Sequence, residues 1–222
     1  MELAKYIDHT ILKPDATREE VEIICQQAKK YGFASVCVNQ YYTEYVKNQL
    51  ENTDVKVCTV IGFPLGAVTT DVKVYETKQA VLNGADEIDM VINIGAIKNK
   101  DYDYVQQDIK AVVEAAKPAI VKVILETCLL NQSEIIKACE LSVQAKAAFV
   151  KTSTGFSKAG ANVEDIFLMR KTVGENAGVK ASGGVKDFET ANKLIEAGAS
   201  RIGTSSGIAI VTQLQNDKPD GY

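Results

Sequence analysis

Eight short β-prone segments alternate with eight longer amphipathic ones along the whole chain, and no other property limits its fold so sharply. Strands are expected over 6–11, 35–39, 56–61, 87–93, 120–126, 149–152, 178–181 and 201–203. Helices are expected over 17–30, 42–50, 70–83, 101–116, 131–145, 162–173, 187–197 and 207–214. Punctuation agrees with this reading. Thr17-x-x-Glu20 matches a capping box, Asp101 and Asp187 can cap helix starts, and Gly84 and Gly198 stand where helices should end. A βα order repeated eight times requires a parallel sheet. Its simplest solution in one domain is a closed (β/α)8 TIM barrel, with an open doubly wound sheet as the alternative. No linker or composition shift divides the chain, so one catalytic domain over 1–222 is expected, with 215–222 as a flexible polar tail.

Composition removes several classes of function. The net charge is −4, and no run of five like charges occurs, so neither a nucleic-acid nor a membrane partner is expected. The five cysteines, at 25, 37, 58, 128 and 139, are odd in number and lack C-x-x-C spacing. That fits a reducing compartment. With no apolar signal core after Met1 and no apolar run of membrane-spanning length, a soluble cytoplasmic protein is expected.

In a closed barrel the outward strand positions meet helices and must be apolar, so polar strand residues should face the interior. On 87–93 the period of two sends Ile88, Met90 and Ile92 outward and leaves Glu87, Asp89, Val91 and Asn93 inward. The same count turns Lys122, Ile124, Glu126, Lys151 and Lys180 inward, with Asp8, Thr10, Cys37 and Asn39. Three lysines and at least two carboxylates therefore converge. For Lys122 a buried ion pair with Asp89 or Glu126 is a purely structural alternative. Lys151 and Lys180 differ because they end their strands, where catalytic groups of such barrels lie. Glu126 comes late in its strand and Glu87 early, which makes Glu126 the expected site neighbour.

Phosphate is often held in such barrels by the loops after the seventh and eighth strands. Those loops read Ser182-Gly183-Gly184-Val185 and Gly203-Thr204-Ser205-Ser206-Gly207, and Thr152-Ser153-Thr154-Gly155 follows the sixth strand. Glycines let backbone amides approach an anion, and hydroxyls add donors. Gly155, Gly183, Gly184, Gly203, Ser205 and Ser206 are accordingly candidate phosphate contacts.

The chain has one histidine, His9, and no His, Cys and carboxylate residues at metal-ligand spacing, so neither a metal nor another cofactor is expected. A lysine imine remains. It needs an amine that loses its proton, a second cation to favour that loss, and a carboxylate to move protons. Lys151, Lys180 and Asp89 fill those roles. Other imine aldolases or transaldolases, a pyridoxal-phosphate enzyme and a non-catalytic sugar-phosphate binder stay open on the residues alone.

Several segments then resemble one family. Ile7-Asp8-His9-Thr10-Ile11-Leu12, Cys37-Val38-Asn39, Ile61-Gly62-Phe63-Pro64-Leu65-Gly66 and Ala85-Asp86-Glu87-Ile88-Asp89-Met90-Val91 are similar to deoxyribose-phosphate aldolases. So are Phe149-Val150-Lys151-Thr152-Ser153-Thr154-Gly155-Phe156, Val179-Lys180-Ala181-Ser182-Gly183-Gly184-Val185 and Gly203-Thr204-Ser205-Ser206-Gly207. The resemblance implies a class I aldolase that reversibly cleaves 2-deoxy-D-ribose 5-phosphate to acetaldehyde and D-glyceraldehyde 3-phosphate. It also implies that Lys151 forms the Schiff base, Lys180 tunes it, and Asp89 relays protons. Asp8 and Lys122 would sit in or near the site. By their own strand parity and loop position, Thr10, Cys37, Thr152 and Glu126 are further candidates near the substrate. The resemblance further suggests that a terminal tyrosine, here Tyr222, swings into the site. Ala147-Ala148 stands where relatives carry Gly-Ala-Asp, at the strand end remote from the chemistry. Acidic barrels of this size often pair, so a homodimer is expected, although no patch specifies its interface.

Overall fold

The computed structural model describes residues 3–213. Its strands are β1 (Ile7–Ile11), β2 (Ser35–Val38), β3 (Lys56–Ile61), β4 (Glu87–Val91), β5 (Ile120–Ile124), β6 (Phe149–Lys151), β7 (Gly178–Ser182) and β8 (Arg201–Thr204). All pair in parallel with their neighbours, and β8 returns to β1, closing the barrel. The helices are α1 (Arg18–Tyr31), α2 (Thr43–Gln49), α3 (Thr70–Leu82), α4 (Ile94–Lys98) and α5 (Tyr102–Ala116). They continue with α6 (Gln132–Gln144), α7 (Val163–Val173), α8 (Phe188–Glu196) and α9 (Gly207–Thr212). The TIM-barrel expectation is met, and the open-sheet alternative falls with the β1–β8 pairing.

Local chemistry explains the helix limits. Thr17 Oγ1 accepts from the Glu20 amide at 3.3 Å while the Glu20 carboxylate accepts from the Thr17 amide at 2.8 Å. This reciprocal cap satisfies two amides that have no partner inside α1, and Gly32 then ends the helix at φ 66. Asp101 and Asp187 cap α5 and α8 as expected, accepting from the amides of Tyr104 and Thr190.

Four strands stop earlier than the pattern suggests, β2 and β6 by one residue and β4 and β5 by two. β4 ends at Val91 because the Asn93 side chain accepts from the Ala96 amide at 3.0 Å and starts α4, a helix not expected from the sequence. β5 ends at Ile124, and Glu126 takes a left-handed backbone at φ 55. The period-two count therefore lapses at Asn93 and Glu126.

Between sheet and helices lies one apolar core containing Ile7, Val36, Ile88, Met90, Val121, Val123, Val150, Val179 and Ile202. Each such side chain contributes roughly 1.5–3 kcal/mol by leaving water. Inside the barrel a small second cluster holds Leu12, Cys37, Cys58 and Val60, with Phe63 against it. This apolar patch lies inside the barrel beside the charged side chains described below. His9 faces outward, 2.7 Å from Gln27 Oε1 and edge-on to Phe33 at 5.0 Å.

Candidate active site

Three inward lysines meet one aspartate. Lys151 Nζ and Lys180 Nζ both donate to Asp89 Oδ2 at 2.8 Å. Lys122 Nζ donates to Asp89 Oδ1, also at 2.8 Å. Lys180 Nζ further lies 2.5 Å from Asp8 Oδ2. Lys122 Nζ lies 2.5 Å from Glu87 Oε2 and 3.6 Å from Asp8 Oδ2. Register brings this about: Asp89 pairs with Lys122 across β4–β5, and Lys151 with Lys180 across β6–β7.

Arg201, which the sequence reasoning passed over, completes the cluster. Its Nη1 donates to Asp8 Oδ1 at 2.6 Å and lies 3.3 Å from Glu87 Oε2, while its guanidinium sits 5.4 Å from the centre of the Phe149 ring. The available signal was its position on β8, two residues before Gly203 and hence of the same inward parity. Ser35 Oγ adds a donor to Asp8 at 2.6 Å. Among the described residues, four cations (Lys122, Lys151, Lys180 and Arg201) therefore face three carboxylates (Asp8, Glu87 and Asp89).

The field of this cluster fixes its charges. Burial pushes the Asp89 carboxyl up, but Lys122, Lys151 and Lys180 outweigh it and hold it well below the usual carboxylate range. Asp8 is likewise lowered, burial being overcome by Lys180, Lys122 and Arg201. Burial opposes the charge on Lys180, yet Asp8 and Asp89 keep its ammonium above the ordinary lysine value. Lys122 is raised in the same way, by Asp89 first among its partners. Lys151 has a single carboxylate contact, and its side chain alone among the three lysines retains any exposure, 3% against 0%.

The expected site residues separate into those the barrel gathers and those it does not. Asp8, Asp89, Lys122, Lys151 and Lys180 converge as described. Cys37 reaches them through Cys58, its register partner, whose thiol donates to Asp89 Oδ1 at 3.2 Å and accepts from Lys122 at 3.3 Å. The hydrogen bond with Cys58 lowers the Cys37 thiol, whereas burial raises that of Cys58. Thr10 turns its hydroxyl to the Asp8 carbonyl at 2.9 Å. Thr152 links β6 to β7, donating to the Ser182 carbonyl at 3.2 Å and accepting from the Ser182 amide at 3.1 Å. Glu126 touches no lysine: its carboxylate accepts from the amide and hydroxyl of Thr154, bracing the loop after β6. The preference for Glu126 over Glu87 as neighbour of the lysines is thus reversed, because the left-handed turn at Glu126 aims it along the rim. Tyr222 lies outside the described residues, as does the stretch 215–222.

Beside the lysines an open cleft of about 330 Å³ is lined by Gly155, Gly183, Gly184, Gly203 and Ser205, five of the six expected phosphate contacts. Ser206 lies beneath it, its amide donating to Thr204 Oγ1 at 2.9 Å. Gly183 and Gly184 take positive φ in succession, and Gly160 approaches so closely that a Cβ there would lie 2.1 Å from the Gly183 carbonyl oxygen. Lys158 and Lys186 also line the cleft. Sequence reasoning missed both, although each lies within three residues of a glycine it did single out. Gly203 joins cleft to cluster: a Cβ there would sit 2.9 Å from Lys180 Cε.

A cluster of paired lysines beside a basic, glycine-walled cleft suits imine chemistry on a phosphorylated carbonyl compound. Residues 2–213 match the DeoC/LacD family aldolase description. The chain belongs to this family. A deoxyribose-phosphate aldolase of Clostridium novyi (strain NT) is 64% identical over the whole of both chains. One from Clostridium tetani (strain Massachusetts / E88) is 63% identical, over 96% of this chain and 99% of that one. Among solved structures, the tetrameric deoxyribose phosphate aldolase of Aeropyrum pernix superposes with a TM-score of 0.89 at 35% identity, covering 95% of this chain and 90% of that one. Aldolases of this family are lyases, and this chain is one on a TIM barrel. Among the described residues, no helix is long and apolar enough to cross a membrane.

Proposed function

We propose that this aldolase reversibly cleaves 2-deoxy-D-ribose 5-phosphate to acetaldehyde and D-glyceraldehyde 3-phosphate, with Lys151 as the Schiff-base lysine. The observation that carries this reading is the sharing of Asp89 Oδ2 by Lys151 and Lys180. With four cations against three carboxylates, loss of one proton leaves the buried cluster neutral. Among the described residues of the cluster, Lys151 has the fewest carboxylate contacts and alone of the three lysines keeps any exposure, which suits it to be the nucleophile.

The free amine of Lys151 attacks the C1 aldehyde of the open-chain sugar, and loss of water leaves an iminium. Removal of the proton from the C3 hydroxyl then breaks the C2–C3 bond. The bonding electrons pass into an enamine on Lys151, and glyceraldehyde 3-phosphate departs. Protonation of the enamine at C2 and attack of water on the renewed iminium release acetaldehyde and restore the amine. Lys180, held charged by Asp8 and Asp89, is the fixed cation and hydrogen-bond donor that assists these steps, while the water lost in iminium formation takes the C3 hydroxyl proton and delivers one to C2 of the enamine. Asp89 stays ionised, so its part is to keep Lys180 charged and to hold Lys151 in place. Lys158 and Lys186 flank the 5-phosphate, with the amides of the glycine loops as further donors.

The protein works without a cofactor in this scheme, and its free cysteines suit the reducing cytoplasm. It assembles as a homodimer through α3. That helix leaves Val72, Tyr75 and Leu82 in solvent while burying Lys73, Thr77 and Ala80.

Borohydride reduction in the presence of acetaldehyde, followed by peptide mass spectrometry, tests the chemistry. A two-carbon adduct on Lys151 is expected. No adduct, or one confined to another lysine, would remove Lys151 from its role.

A further inference from the structure

The barrel interior contains a second constellation, in which Asp89 meets two cysteines that the aldol chemistry does not use. Cys37 and Cys58 are register partners on β2 and β3, and Asp89 projects inward from the next strand, β4. Their ligand atoms, two sulfurs and a carboxylate oxygen, all lie within 4.8 Å of one another, and all three residues are buried. No sequence spacing announces this group, because each member comes from a different strand.

We infer that Cys37 Sγ, Cys58 Sγ and Asp89 Oδ1 form a binding site for a thiophilic divalent cation inside the barrel. Around one tetrahedral ion, with bonds of about 2.0–2.3 Å, sulfur and oxygen ligands sit roughly 3.3–3.8 Å apart. The 3.2 Å between Cys58 Sγ and Asp89 Oδ1 nearly meets that spacing already. Two sulfurs and one oxygen favour Zn²⁺ or Cd²⁺ over Mg²⁺ or Ca²⁺, which prefer shells of oxygen.

Neighbouring lysines would ordinarily repel such an ion, but three features offset this. Each thiol gives up its proton on ligation, so two protons leave as one divalent ion enters and the net charge is unchanged. The Lys122 ammonium, 3.3 Å from Cys58 Sγ and 2.8 Å from Asp89 Oδ1, is the cation these donors now hold, and the ion takes its place rather than adding to it. When Asp89 Oδ1 turns to the ion, Lys122 keeps Glu87 at 2.5 Å and Asp8 at 3.6 Å. Occupancy would take Asp89 from the lysines and inhibit the aldolase. That consequence, unlike binding itself, rests on the function proposed above.

The test is titration of the reduced full-length protein with Cd²⁺, read by thiolate-to-cadmium ultraviolet absorbance and by aldol cleavage in parallel. One tight equivalent is expected, retained in Cys128→Ser, which removes the half-buried thiol outside the barrel. Affinity should fall at least about tenfold in both Cys58→Ala and Cys37→Val. Unchanged affinity in those two variants, or no thiolate band at one equivalent, would overturn the site. Should both variants unfold, X-ray absorption on the wild-type complex decides: two sulfur ligands uphold it, and fewer refute it. A band without inhibition would uphold the site while overturning the role given to Asp89.

Discussion

Lys151 and Lys180 are register partners on β6 and β7, and their ammonium groups converge on one carboxylate oxygen. Like charges this close repel, and the shared Asp89 oxygen is what lets them coexist. Such an arrangement costs stability unless it serves something else. Imine formation is a use that needs one amine to shed its proton while the other keeps it.

Replacing Lys180 with leucine removes the cation beside Lys151 and leaves Asp89 to pair with Lys151 and Lys122. Proton loss from Lys151 becomes harder, so the acid limb of the rate profile should move to higher pH and kcat should fall by roughly 10²–10⁴. Lys151→Ala should abolish turnover at every pH while keeping the fold. Full pH–rate profiles of both variants check this, and an unshifted limb in Lys180→Leu would reduce Lys180 to a structural contact.

Stability should depend on acid in a definite direction. Asp8 and Asp89 are held below their ordinary value of 3.8, so the unfolded chain binds their protons first. Their stabilisation is complete above that value and is lost as pH falls beneath it toward the folded values. At the alkaline end Lys180 acts oppositely. Its contribution is full below the ordinary 10.5 and disappears as pH climbs beyond it. Urea midpoints across the pH range should show a plateau between these limits. Asp89→Asn should lower the plateau by about 3–5 kcal/mol, since it strips a buried group of lysines of its anion.

Lys158 and Lys186 should matter only to phosphorylated substrates. A charge-assisted hydrogen bond contributes about 1.5–3 kcal/mol, so either lysine changed to alanine should raise KM for the sugar phosphate about tenfold or more. Cleavage of unphosphorylated 2-deoxyribose should be unaffected. Steady-state kinetics on both sugars make the comparison, and equal losses on both would place the phosphate elsewhere.

The apolar face of α3 carries a prediction of its own. Tyr75 is 65% and Leu82 77% exposed. Charged substitutions there, Tyr75→Asp with Leu82→Asp, should produce a monomer in sedimentation equilibrium without changing the circular dichroism. A native protein that is already monomeric would dismiss the α3 interface.

The alternation of period-two and helical segments narrowed the fold to a closed barrel or an open doubly wound sheet, since eight parallel strands with crossovers have few ways to bury both faces of a sheet, and the pairing of β8 with β1 decided it. Parity along single strands was enough to turn Asp8, Asp89, Lys122, Lys151 and Lys180 inward. Turn composition located the glycine loops after β6, β7 and β8. These are local properties, carried within a strand or a loop, and a linear reading has access to them.

What lay beyond the sequence was the choice of partners. Whether Lys122 meets Glu87 or Glu126 depends on a left-handed residue that ends β5 early. Whether Arg201 reaches Asp8 depends on how β8 closes against β1. The meeting of Cys58 with Asp89, and of Lys158 and Lys186 at one cleft, likewise joins residues from separate strands and loops. Ion pairs and thiol contacts act over a few ångströms, and only the stagger of the closed sheet brings residues so distant in sequence within that range.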